Sequence, residues 1–181
     1  MIERVVSEIR ARTPPAGMRT RVVAVDGAGG AGKTTVADQL AGLLDAPVVH
    51  TDDFASWDEP LDWWPRLLAE VLEPLAANEP ASFVPNAWGG PPRERVVVEP
   101  CEFLVLEGVS ATRRAFRPYL TYAIWVETSR ALRLRRGLER DGEAALPQWE
   151  QWMAAEDRYV AEEAPHLRAD AVLDGAGPRD G

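Results

Sequence analysis

The sequence is poor in cysteine, in lysine and in long apolar runs. A single cysteine, Cys101, can close no internal disulfide, so the fold has to rest on buried apolar surface, and a reducing compartment is expected. No apolar run approaches the ~18 residues of a membrane span. The opening MIERVVSEIRARTPP is charged throughout and lacks the apolar centre of a secretory leader. Together these predict a cytoplasmic protein with no membrane partner. Positive charge is outweighed, with 20 basic against 29 acidic side chains and a net charge of −9, which argues against nucleic acid as a partner because phosphate backbones attract basic surfaces. Among the 20 basic residues only one is lysine, Lys33.

What is present suits one domain spanning 1–181, with 46% hydrophobic residues and a sizeable core. Residues 2–12 read as an amphipathic helix stopped by Thr13-Pro14-Pro15. RVVAVD (21–26) is a buried strand, and KTTVADQLAGLL (33–44) has apolar residues at helical spacing. PVVHT (47–51) is a second strand, and 60–78 is helical with proline interruptions. Residues 79–95, rich in Pro and Gly, form an irregular or hairpin segment before a small edge strand at 96–98. EFLVLEG (102–108) and YAIWVE (122–127) are core strands. Residues 129–142 begin as a helix and end in a charged turn, a second helix spans 147–164, with Pro147 suited to its start, and a last strand lies at 169–174. Strands alternating with helices predict an α/β fold, a parallel sheet covered on both faces.

The lone lysine closes a glycine loop. Gly27, Gly32, Lys33 and Thr34 match G-x-x-x-x-G-K-[ST], placed after a buried strand and at the start of a helix. Two glycines at fixed places arise by chance in about 0.5% of windows at average glycine usage; the lysine and hydroxyl cut that about a hundredfold more. Glycines let backbone N–H groups approach phosphate oxygens, and the helix N-terminus adds partial positive charge. The loop Gly27, Ala28, Gly29, Gly30, Ala31, Gly32, with Lys33, Thr34 and Thr35, is therefore expected to bind a nucleotide's phosphates. Lys33 would supply a compact charge to the outer phosphates and Thr34 a hydroxyl to Mg²⁺. A guanine-reading N/T-K-x-D is excluded, since no second lysine exists. The short length favours a small-molecule kinase over a transport or helicase ATPase.

Acids fall where such chemistry needs them. HTDDF (50–54) ends the second strand, and ligands in open α/β sheets bind beyond the carboxyl ends of strands. Asp52 is the candidate to accept a proton from an acceptor hydroxyl or hold Mg²⁺ through water; a helix cap is the alternative for this pair. LVLEG (104–108) is an apolar strand ending in Glu107, a candidate metal-associated acid. Of Arg133, Arg135, Arg136 and Arg140, the i, i+4 pair Arg136 and Arg140 is expected to close over the transferring phosphoryl group from a lid at about 136–147. Trp57, Trp63, Trp64 and Trp88 lie after DDF, where their indoles either stack on a nucleobase or pack a small helical subdomain. Trp149 and Trp152 read as helix packing.

The order GAGGAGKT, DDF, LEG, arginine-bearing lid resembles the uridine kinase-like branch of the P-loop nucleoside kinases, and especially actinobacterial proteins labelled uridine kinase-like. The resemblance covers about residues 20–174 and extends to WEQWMAAEDRYVAEEAPHLRADAVLDG. It implies a three-layer P-loop NTPase sandwich with a central five-stranded parallel sheet in the order 2-3-1-4-5 and a small lid. It also implies ATP and Mg²⁺ as cofactors and a sugar hydroxyl as acceptor. By position Asp52 matches the family's catalytic aspartate, Asp53 the residue after it and Phe54 the following aromatic, and Glu107 the metal-associated acid; Arg136 and Arg140 match the lid. Ala55 stands where uridine kinases carry Tyr. The expected partner is a small-molecule acceptor with a hydroxyl group, bound by about 55–95 with Asp53, Phe54, Trp57 and Trp88; a non-nucleoside alcohol and a regulatory ATPase without an acceptor are the alternatives. A homodimer stays open.

Overall fold

In a computed structural model that describes residues 1–56 and 61–177, the β-branched runs form strands and the periodic segments form helices. The strands are β1 (Arg21–Asp26), β2 (Val48–His50), β3 (Ala81–Phe83), β4 (Val96–Val98), β5 (Phe103–Glu107), β6 (Leu120–Glu127) and β7 (Ala171–Asp174). Five of them make one parallel sheet in the order β2-β5-β1-β6-β7. Numbered along the chain without the small pair β3 and β4, this is the expected 2-3-1-4-5. β4 does not edge that sheet; it pairs antiparallel with β3, the hairpin reading of the Pro/Gly-rich segment between them.

The helices are α1 (Ile2–Ala11), α2 (Lys33–Leu44), α3 (Trp64–Leu67), α4 (Glu73–Ala76), α5 (Arg130–Asp141), α6 (Leu146–Glu163) and α7 (Pro165–Arg168). Between α3 and α4 the helix widens to a π-turn over Leu68–Leu72. Pro74, at the start of α4, has no N–H to donate, so the regular ladder cannot run through it.

Alternation in β1 divides the core in two. Val22 and Ala24 face a cluster with Leu67, Leu72, Leu75 and Phe116, while Val23 and Val25 face α1 and α2 through Ile9 and Leu40. Val22 to Val25, Ile9, Leu40, Leu67, Leu72, Leu75 and Phe116 are fully buried, and each such large side chain contributes about 1.5–3 kcal/mol. Both layers hold the carboxyl ends of β1, β2 and β5 side by side, and the register places Glu107 opposite both Val25 and His50. Among the described residues no helix is long and apolar enough to cross a membrane.

Candidate active site

β1 runs into the glycine loop and α2 begins at Lys33. Gly32 caps that helix at φ 98°, a left-handed conformation open to glycine at no steric cost. The helix N-terminus therefore opens without a side chain over its free amides. Lys33 is 8% exposed, and its Nζ donates to the Ala28 carbonyl at 3.1 Å.

On the neighbouring strand Gly108 follows Glu107 with φ 144°, and a Cβ there would lie 1.8 Å from Thr51 Oγ1. Only glycine allows that approach, which sets Glu107 beside the single 3₁₀ turn Thr51–Asp53 that carries Asp52. Glu107 is buried. His50 Nδ1 lies 2.7 Å from its Oε2, and the Thr34 hydroxyl stands 3.5 Å from its Oε1. The bond to Glu107 raises the pKa of His50. Asp52 opens onto a cavity; the protein around it pushes its pKa up, against the lowering charge of Lys33, and Glu107 pushes further up. A carboxylate with a raised pKa is the stronger base.

The cavity measures about 560 Å³, and Asp52 shares its wall with Trp88, Arg140, Asp141, Gln148, Trp149 and Trp152. Trp88 Nε1 donates to the Asp52 carbonyl at 2.9 Å, fixing that wall to the turn. The rings of Trp88 and Trp152 meet at 6.4 Å and 48°, an aromatic corner. Arg140 binds Asp141 through two contacts at 2.7 and 2.9 Å, and its guanidinium lies 5.6 Å over the Trp149 ring.

Several expectations are corrected here. Phe54 is 2% exposed and packs on Phe83 and Trp63, because the 3₁₀ turn directs it into the core rather than toward the cavity. Asp53 does not line the cavity; its carboxylate is held by Arg93 at 2.5 Å. Arg136 does not line it either: its Nη1 donates to the carbonyls of Gly30, at 3.2 Å, and Gly175, at 2.9 Å, tying the glycine loop to the end of β7. Trp149 and Trp152 do more than pack helices, since both face the cavity. Trp63 is core, and Trp64 packs against it. Trp57 lies outside the described residues.

A buried anchor was not anticipated. Asp26, the last residue of β1, is 0% exposed. Its carboxylate accepts from the N–H groups of Gly27 (2.7 Å), Ser110 (2.8 Å) and Thr112 (3.0 Å) and from the hydroxyls of Thr112 (2.7 Å) and Tyr159 (2.6 Å). Burial pushes its pKa up while these donors hold it down. An acid closing an apolar strand directly before the loop was a visible signal. The stripe Trp149, Trp152, Glu156, Tyr159 at helical spacing was another.

These groups fit a magnesium nucleotide. The oxygens of Thr34, Glu107 and Asp52 are the hard donors Mg²⁺ takes, and Lys33 with the helix N-terminus suits phosphate. Among the described residues no three His, Cys, Asp or Glu are placed to hold a metal on their own. A magnesium ion here would depend on phosphate oxygens as well, as is usual for nucleotide sites.

No protein-family model and no curated protein matches the sequence. Solved structures do match in fold. One is a possible uridine kinase from Bacillus stearothermophilus, 23% identical, with a TM-score of 0.71 over 96% of this chain and 97% of that one. A provisionally named fructose transport system kinase from Silicibacter sp. TM1040 is 20% identical, with a TM-score of 0.71 over 96% of this chain and 98% of that one. A gluconokinase from Sinorhizobium meliloti 1021 is 18% identical, with a TM-score of 0.50 over 89% and 85%. The chain shares the fold of these structures.

Proposed function

We propose that the protein is an ATP-dependent small-molecule kinase that transfers the γ-phosphate of MgATP to a hydroxyl of a nucleoside-like acceptor, of the uridine or cytidine kind. The observation that carries this reading is Asp52: it opens onto a tryptophan-walled cavity at the same sheet edge as the loop bearing Lys33. Its raised pKa suits a group that takes the acceptor's proton. Loop residues Gly27 to Thr35 would hold the phosphates, and Lys33 would meet the outer ones. Thr34 and Glu107, with Asp52, would hold Mg²⁺, which when bound neutralises charge on the transferring group. Arg140 reaches the cavity from the proposed lid, 136–147, and Trp88 from the proposed acceptor segment, 55–95. Arg136 serves the site by bracing the Gly30 carbonyl of the loop against that of Gly175. The corner of Trp88 and Trp152 offers a face for a flat base. The kinase names borne by fold neighbours support the reaction class and leave the acceptor to experiment.

The test is ADP release from MgATP with and without a panel of nucleosides, sugars and other alcohols. Stimulation by uridine or cytidine is expected. Stimulation only by another alcohol moves the acceptor assignment. A flat background with every acceptor overturns the kinase reading in favour of a nucleotide-dependent regulator.

A further inference from the structure

α6 touches both sides of the site. Its first turns put Trp149 and Trp152 on the cavity wall, and its later turns put Glu156 and Tyr159 on the glycine loop. Glu156 is 2% exposed. Its Oε1 accepts the Gly29 N–H at 2.6 Å, and its Oε2 pairs with Arg133 Nη1 at 3.1 Å. Arg133 in turn donates through Nε to the Thr128 carbonyl at 3.2 Å. Burying a carboxylate is unfavourable, and a buried ion pair adds little net stability over an apolar replacement of similar volume. The acid is better explained by what it holds.

It holds one end of a single peptide unit. In a trans peptide the C=O and N–H point in opposite directions, and no cis bond occurs among the described residues. The Gly29 N–H points to Glu156, so the Ala28 carbonyl of the same unit points the other way, where it accepts Lys33 Nζ at 3.1 Å and the Ala31 N–H at 3.1 Å. A carboxylate, a peptide and an ammonium thus stand in line. Hydrogen bonds in such a chain polarise one another, and turning the peptide would turn the oxygen that Lys33 rests on. Tyr159, one turn further along α6, fixes the start of the loop through Asp26 and Gly27, so the helix grips the loop at two points.

We propose that Glu156 is a positioning residue for Lys33, acting through the Ala28–Gly29 peptide to set the ammonium where it meets a nucleotide's outer phosphate. The inference rests on the reading of the loop as the nucleotide site. It is tested with MgADP by calorimetry on wild type, Glu156→Gln, Lys33→Met and the double variant, with thermal melting as the check on folding. Glu156→Gln keeps the volume but sets an amide donor against Arg133 or Gly29. Losing a hydrogen bond to a charged group corresponds to about tenfold in affinity, so about tenfold weaker MgADP binding is expected. In the Lys33→Met background the same change should add less than twofold, because residues acting as one unit are not additive. Full additivity, or unchanged MgADP affinity in a folded Glu156→Gln protein, overturns the proposal. Glu156→Asp, which keeps the charge and withdraws it from Gly29, supplies the same comparison if the amide variant does not fold. Wild type that fails to bind MgADP refutes the nucleotide reading itself, and this inference with it.

Discussion

Gly137 of α5 and Trp149 of α6 are in contact: a Cβ on Gly137 would come within 2.3 Å of the indole. That close fit holds Trp149 where its ring lines the cavity, its Nε1 donates to Asp141 at 2.9 Å, and Arg140 lies over its face. The cavity wall is thus set by the absence of one methyl group on the neighbouring helix.

Gly137→Ala should therefore destabilise the protein, although alanine is the better helix former. Propensity favours alanine by roughly 1 kcal/mol, while overpacking a filled site costs about 1–3 kcal/mol. With Trp149 buried and its indole held by Asp141 and Arg140, the second effect wins. Urea denaturation should show a lower midpoint; a rise would mean that the two helices part without loss.

Asp52→Asn should lower turnover about 10²–10⁴-fold, the usual loss on removing a general base, a larger effect than on MgADP binding, where phosphate oxygens, Thr34 and Glu107 also hold the ion. The isostere keeps the 3₁₀ turn, whose contact to Trp88 uses the main-chain carbonyl of Asp52 rather than its side chain. Normal turnover with a genuine acceptor would remove Asp52 from the role of base.

Lys33→Met should weaken MgADP binding about 10–100-fold, the range for losing a charge-assisted hydrogen bond. Calorimetry is the check, and an unchanged dissociation constant would mean that the ammonium does not reach a phosphate.

Stability should fall at high pH through buried phenols. Tyr122 is 0% exposed and donates to Glu8, and its pKa is raised above the ordinary 10.0, first by burial and then by Glu8. The folded chain keeps this proton while the unfolded chain releases it near pH 10. The contribution is therefore complete below that pH and is lost as pH rises above it, at up to about 1.4 kcal/mol per pH unit per group. Tyr159 is shifted the same way by burial and by Asp26. Tyr122→Phe should start from a lower stability, having lost the bond to Glu8, and then decline less steeply in alkali. Denaturation curves parallel to wild type across that range would contradict the assignment.

The sequence alone determined the strands, the glycine loop and the order of the acids. RVVAVD had to be a buried strand, and glycines before a lysine at a helix start left few alternatives, because periodicity and backbone freedom are local properties. HTDDF and LVLEG could be placed at one sheet edge because parallel strands in a covered sheet all point their carboxyl ends the same way. Which side chains would meet across that edge was beyond local rules. Phe54 turns into the core and Asp53 turns to Arg93, although both lie within two residues of Asp52 in the chain. Arg136 braces carbonyls while Arg140, on the next turn, reaches the cavity. Glu156 meets Gly29 across 127 residues, and Tyr159 meets Asp26 across 133. Only the packing of α6 against the loop decides those contacts: helical spacing says which residues share a face, and the rest of the fold says what that face touches.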